Sequence, residues 1–455
     1  MADFHELRSR YPVFRFLSFT VTETEKTLDI DYLFEIEGLS EFSPHWSFPK
    51  PEKGSFADDD LIRKMAFSLG MVELVSYWKL TCSPRVEILA GALDADQIDW
   101  WKQLYFGGLG EFFYRNGIET TKEAFMDILS LGSAPAGEKV ERPALDGCLV
   151  PIGGGKDSAV TLELLRERGG KRFGYIINPR MATLDTAKAA EMPQDDVLSV
   201  KRTLDSRMIN LNRQGYLNGH TPFSALVAFS GLITAYLHRL EYIVLSNESS
   251  ANESTVADST VNHQYSKSFE FEQDFHRYEA QYIRSGILYF SLLRPLSEYQ
   301  IAKLFAGMPA YHPVFRSCNV GSKTDSWCGV CPKCLFVYTI LSPFLPQDYL
   351  ANTFGRAMLD DEALRPIFDQ LIGLTPEKPF ECVGSRDEVN MAAVQTVGAL
   401  KSEGKPLPKL LAYYVTTPLY ERYQAMPNVY ETYYDHENLL PPEFAALMQK
   451  KVMGR

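Results

Sequence analysis

Long uncharged apolar runs are missing from these 455 residues. The most apolar one, residues 221–237, is short of the roughly 20 residues that cross a bilayer and is interrupted by Ser, Thr and Gly, so it reads as a buried helix. The opening stretch MADFHELRSRYP holds no apolar signal core, and a cytoplasmic protein is expected. Cations are in deficit: 46 Lys and Arg stand against 58 Asp and Glu, a formal charge of −12. Nucleic acid is therefore not expected as the main partner, because phosphate backbones demand clustered Lys and Arg, though a local basic groove is not excluded. Cysteine is scarce as well. Of seven, four fall in one cluster and Cys82, Cys148 and Cys382 are scattered, which is a metal pattern of a reducing compartment rather than a disulfide framework.

Two standard nucleotide fingerprints are also absent. A Walker loop needs Ser or Thr after its lysine, and here Asp157 follows Lys156; the dinucleotide motif needs a third glycine that never comes. What is present is LVPIGGGKDS at residues 149–158, followed by a helical pattern. The apolar run reads as a strand, Gly153, Gly154 and Gly155 as a tight loop, and Lys156, Asp157 and Ser158 as the start of a helix whose free N–H groups face the loop. Phosphate is the natural guest. A carboxylate beside phosphates requires a cation between them, so Asp157 implies Mg2+.

Phe173 to Ile177 reads as a second buried strand, and strand, helix, strand with short links implies a parallel sheet, whose ligands bind at the carboxyl ends of the strands. Asn178 falls on that edge and reads equally as a nucleotide contact or as an Asn-Pro turn. Further strands are expected at residues 208–211 and 242–246. Two polar clusters follow the same logic: Asn218 and His220 before a Pro-started helix, and Asn247, Glu248 and Asn252 after the strand YIVLS. Each alone reads as a helix cap, and both together on one edge point to a substrate. Residues 258–279 carry His263, Tyr265, Lys267, Glu270, Glu272 and His276, either a set of acids and bases or a solvated helix with its Phe residues inward.

Cys318, Cys328, Cys331 and Cys334 have the spacing C-x9-C-x2-C-x2-C. Four thiolates suit tetrahedral Zn2+ with no open position, a structural site, with an iron–sulfur cluster as the competitor. Such a centre would pin the chain after the helix at 297–306 back onto the sheet. Residues 1–140 read as an α+β domain with a small antiparallel sheet, and Trp78, Trp100 and Trp101 as core or channel walls. The central domain takes in 141–345 with the zinc site, and residues 346–455 are mainly helical. The fold class is α/β with a central parallel sheet. Near the C-terminal end KPFECVGS carries the lone Cys382, a small buried hydrophobe or an acid–base group.

The sequence GGGKDS resembles the S-G-G-x-D-S loop of the PP-loop ATP pyrophosphatase superfamily (adenine nucleotide alpha-hydrolase-like), with Gly153 in place of the first Ser. Its pairing with WCGVCPKC is similar to cyano-deazaguanine synthases. Over the full length, NGHTPFSA, SNESSANE, VNHQYSKSFEFE, WCGVCPKC and KPFECVG together resemble the UDP-N-acetylmuramoyl-L-alanyl-L-glutamate epimerase (MurL-like) family of peptidoglycan biosynthesis. The resemblance implies an isomerase that binds ATP at residues 153–158 and Asn178, adenylates the terminal glutamate carboxylate of a UDP-linked muramoyl peptide and inverts its Cα. Cys382 and His263 are then the proton-transfer candidates, Lys156 steadies the phosphates and Asp157 holds Mg2+. A PP-loop synthetase or RNA-modifying enzyme, passing the adenylate to nitrogen or sulfur, is the alternative.

Overall fold

The computed structural model describes residues 3–140, 144–252, 265–318, 320–321, 324–379, 381 and 383–453. Its strands are β1 (Val13–Glu23), β2 (Thr27–Ile36), β3 (Ser40–Phe42), β4 (His45–Pro49), β5 (Arg85–Ile88), β6 (Asp127–Ser130), β7 (Cys148–Pro151), β8 (Arg172–Ile177), β9 (Val197–Thr203), β10 (Tyr242–Leu245) and β11 (Leu288–Ser291). They form one mixed sheet in the order β11-β10-β7-β8-β9-β4-β2-β1-β5-β6, with β3 on β2. The fold is α/β, and the arm from β11 to β9 is parallel throughout. The chain runs from β7 through β8 to β9 on one side, then returns to lay β10 and β11 on the other. The direction of winding therefore reverses between β7 and β10, the place where open parallel sheets leave a crevice for ligands.

The amino-terminal strands do pair antiparallel, but not as a separate small sheet. β4 joins β9 antiparallel, with Trp46 opposite Arg202, and so fuses both halves into one surface. Arg202 holds that seam: its guanidinium grips the Glu73 carboxylate at 2.9 and 2.7 Å and the Ser76 hydroxyl at 3.0 Å, while Trp46 Nε1 donates to the same glutamate. The expected strand at 208–211 is instead part of the helix Ser206–Arg213, capped by Asp205, and the strand precedes it as β9.

Side chains alternate across the parallel strands as a pleated sheet requires. Leu149, Ile243 and Leu245 face one core with the helices Asp60–Trp78 and Phe223–Leu237. Cys148, Val150 and Val244 face the other, with the helices Lys156–Arg168, Glu298–Ala306, Pro332–Leu341 and Arg386–Ser402. Trp78 and Trp101 lie wholly in the first core. The apolar run at 221–237 is the helix Phe223–Leu237, buried on nearly every side, which explains its lack of a polar face. Among the described residues no helix is long and apolar enough to cross a membrane.

Candidate functional site at the glycine loop

β7 ends in Gly153, Gly154 and Gly155, and the helix Lys156–Arg168 starts at once with Gly155 at its N-cap. Gly154 has φ +82°, a conformation that favours glycine, and a Cβ there would lie 3.2 Å from the backbone of Ala182, a tight fit that adds to the preference. Ser158 Oγ donates back to the Gly155 carbonyl at 3.0 Å, closing the first turn. Beside the loop, Gly153, Asn178, Tyr175, Ile177, Phe223 and Val227 line a cleft of about 220 Å³ at the carboxyl ends of β7 and β8. The Asn178 side chain, however, spends both its groups on β9, donating to Arg202 O and accepting from Arg202 N at 2.9 Å each. It is a sheet-extending turn residue, φ +51°, that also borders the cleft.

Lys156 points into the protein and is buried between Asp157 and Glu298, donating to both carboxylates. Burial alone would lower its pKa, but Asp157 and then Glu298 more than offset it, and the ammonium is held well above the ordinary lysine range. Burial likewise works against the Asp157 carboxylate, which Lys156 and, more weakly, Lys333 and Lys267 nevertheless hold below its usual range. Glu298 is pushed up to about 8 by burial, with Asp157 and Glu248 adding to the shift against the pull of Lys156. Lysines 156, 267 and 333 thus converge with Asp157, Glu248 and Glu298 at the carboxyl edge of the sheet. Buried charge is costly unless paired, and a knot of it beside a cleft marks a functional site.

The frame around this knot comes from distant segments. Glu298 opens its helix after a Ser297–Gln300 capping box, and its backbone N donates to Glu388 Oε1 at 2.5 Å. Glu388 in turn caps the helix Arg386–Ser402 through Ser385, so one carboxylate serves two helix N-termini. Gly384 packs so closely that a Cβ would stand 3.0 Å from Glu298 Cγ. Arg294, fully buried, donates to the carbonyls of Glu248 (2.8 Å) and Lys267 (2.5 Å) and to the Glu272 carboxylate (3.2 Å). Asn247 Nδ2 donates to Ser291 at 3.0 Å, fixing the end of β10 to β11.

Of the residues expected at the site, 153–158, Asn178, Asn247 and Glu248 come together on this edge. Asn218 and His220 are held elsewhere: the Asn218 carbonyl accepts from Asn116, and His220 stands 3.4 Å from Glu111. His263, Cys382 and the Asn252 side chain lie outside the described residues. Of the 258–279 stretch, Phe271 and Phe275 are inward, and Glu272 is buried against Arg294. Glu298, Lys333, Arg294 and Glu388 had no signal of their own. A Glu after a Ser cap looks like any acid of a first helical turn.

The four cysteine sulfurs lie within 4.8 Å of one another, with Cys318–Cys331, Cys328–Cys334 and Cys331–Cys334 at 3.8, 3.7 and 3.4 Å. Four thiolates about 2.3 Å from one tetrahedral ion stand roughly 3.8 Å apart, so the set fits a single Zn2+. A disulfide needs about 2.05 Å, and a four-iron cluster, with one thiolate per corner iron, needs wider spacing. The segment that carries the cysteines reaches the glycine loop through Arg316, whose N donates to Gly154 O at 2.6 Å, and its Asp325 Oδ1 accepts at 3.0 Å from N of Ala182, a neighbour of Gly154.

A mixed sheet with a glycine loop at the winding reversal of its parallel arm, a buried lysine between two carboxylates and a cluster of four cysteines beside them define an α/β protein with a candidate site at that loop. Comparison with known proteins goes further. Residues 5–292 match the MurL N-terminal domain and residues 314–411 the MurL C-terminal domain, and the chain belongs to the MurL family. A UDP-N-acetyl-alpha-D-muramoyl-L-alanyl-L-glutamate epimerase of Xanthomonas oryzae pv. oryzae is 38% identical over 335 residues, 71% of this chain and 72% of the relative. Proteins of the same name from a Micromonospora species and from Salinispora tropica are 33% identical over 392 residues (84% of this chain, 86% of the relative) and 32% identical over 408 (87% and 86%). No solved structure matches significantly.

Proposed function

We propose that this protein is an ATP-dependent epimerase of the PP-loop superfamily. It inverts the terminal glutamate of UDP-N-acetylmuramoyl-L-alanyl-L-glutamate in peptidoglycan precursor synthesis. The observation that carries the reading is the junction of the 153–158 loop with the buried Lys156–Asp157–Glu298 knot at the sheet's winding reversal, in a chain whose relatives bear that epimerase name.

The chemistry asks for such a site. Removing the Cα proton of a glutamate next to its free carboxylate would set two negative charges side by side. Attack of that carboxylate oxygen on the α-phosphorus of ATP expels pyrophosphate and yields an acyl adenylate, which carries no such charge. A base then takes the Cα proton, an acid returns one on the opposite face, and water cleaves the adenylate to AMP and the D-isomer. The loop N–H groups hold the phosphates, and Lys156, spent on Asp157 and Glu298 behind the loop, adds positive charge that steadies them. Asp157, ionised and partly exposed, would hold Mg2+, which offsets the phosphate charge. The cleft beside Gly153 receives the adenine, its apolar walls being Tyr175, Ile177, Phe223 and Val227. Asn247, Glu248 and Asn252 are assigned to the peptide substrate, and Asn218 and His220, held away from this edge, are left out of the assignment. Cys382 and His263 are assigned to the two faces of Cα.

The reading is tested by incubation with ATP, Mg2+ and the muramoyl dipeptide in D2O, followed by mass spectrometry and chiral analysis. Deuterium at Cα, D-glutamate and AMP are expected together. AMP with a condensed product would establish a synthetase instead, and neither AMP nor deuterium would remove the proposed substrate.

A further inference from the structure

The loop has three glycines and no hydroxyl of its own before Ser158, whose Oγ is spent on the Gly155 carbonyl. One hydroxyl beside it is unspent. Ser317 Oγ is buried and has no hydrogen-bond partner, and the serine's Cβ lies 3.3 Å from where a Cβ on Gly155 would be. That position flanks the N-terminus of the helix Lys156–Arg168, where free N–H groups gather. The serine is clamped on both sides: Arg316 N is bonded to Gly154 O, and Cys318 enters the thiolate cluster. A buried hydroxyl left unpaired is costly, and a site that keeps one in a fixed place is preorganised for a ligand acceptor.

We propose that Ser317 donates its hydroxyl hydrogen to a phosphate oxygen of the nucleotide in the 153–158 loop, supplying from the cysteine-bearing segment the contact that Gly153 cannot make. The inference rests on the ATP reading above. It also gives the four-cysteine centre a role beyond local stability, because the centre holds Ser317 and Arg316 against the loop. Around Gly153 the space is open, with no heavy atom within 4 Å of its would-be Cβ, so a serine fits there.

The experiment is equilibrium binding of ATP with Mg2+ to the wild type, Ser317→Ala, Gly153→Ser and the double variant, with zinc content measured on each. Loss of one hydrogen bond to a charged oxygen predicts roughly tenfold weaker binding for Ser317→Ala, with zinc retained. The double variant is expected to recover most of that loss, because the new hydroxyl enters from the other side of the loop. ATP bound equally well by Ser317→Ala overturns the inference and leaves the ATP reading standing. A loss that Gly153→Ser does not restore also overturns it, in favour of a packing role. A wild type that binds no ATP refutes the nucleotide reading itself, and this inference with it.

Discussion

Gly153 and Gly154 are neighbours under different constraints. Gly154 is left-handed at φ +82° and pressed on Ala182, whereas Gly153 faces open space. Gly154→Ala is therefore expected to cost about 1–2 kcal/mol in equilibrium denaturation, and Gly153→Ala to stay within about 0.5 kcal/mol of the wild type. Equal effects would mean that the loop lacks this conformation. Lys156 presents a sharper contrast. Replacing it by Ala takes from Asp157 and Glu298 the cation they share, and the cost is expected below the about 3–5 kcal/mol of a fully buried charge stripped of its partner, because Asp157 is partly exposed and Glu298 takes up a proton. Glu298→Gln keeps the Lys156–Asp157 pair, so it is expected to destabilise far less while removing the carboxyl that titrates at about 8. Urea denaturation of both variants at pH 7 checks the order; a more severe loss from Glu298→Gln would contradict it.

At the scale of elements, the helix Asp60–Trp78 ends on Lys79, whose buried ammonium donates to Gly219 O and, at 2.9 Å, to Thr221 Oγ1. Burial first and the nearby Arg202 second lower its pKa to about 8, against Glu73 and Cys82. The unfolded chain keeps its proton up to about 10.4, so between pH 8 and that value the unfolded state binds more protons and stability rises with pH. Below pH 8 both states are protonated and the folded one carries the full burden. Lys79→Met is thus expected to flatten the pH dependence of unfolding between 8 and 10, with the wild type gaining up to about 3 kcal/mol over that window relative to the variant. The same scale shows how far sequence reading reached. Apolar runs bounded by glycine-rich or polar turns revealed β7, β8 and β10, and the loop was legible because a strand, three glycines and a helix start cannot be much else. β9 escaped because VLSVKRT is half polar, its Arg202 turned toward Glu73, while apolar Met208 and Leu211 suggested a strand where Asp205 caps a helix. Glu298 and Glu388 escaped because pairing across segments leaves no local mark.

For the whole molecule, the seam between β4 and β9 was invisible for the same reason: a register between strands far apart in sequence is written only in tertiary packing. That seam makes one sheet of two halves, so the glycine loop is braced from several directions. Asn178, across the cleft from it, bonds Arg202 and thereby Glu73 of an amino-terminal helix; Arg316 bonds Gly154 itself, and Asp325 bonds Ala182, which lies beside Gly154; Lys156 reaches Glu298 and with it the carboxyl-terminal helices. The cysteine brace is the one that can be withdrawn without a substitution, although Cys318, Cys331 and Cys334 are themselves buried members of the second core. One zinc per chain is expected on elemental analysis, and a closed thiolate set has no place for water, so its removal should not act through chemistry at the metal. It should act through the released segment, since without the ion four thiolates that close repel one another until they take up protons, and the segment that carries Arg316 and Asp325 loses its anchor. Stripping zinc with a chelator, or Cys331→Ser, is expected to weaken ATP binding at least tenfold while far-UV circular dichroism barely changes, because the helices and strands of both cores remain. Readdition of zinc should restore binding to the chelated protein but not to the variant. If ATP affinity survives verified zinc loss, the contacts of Arg316 with Gly154 and of Asp325 with Ala182 are maintained by packing alone, and the centre is only a local staple.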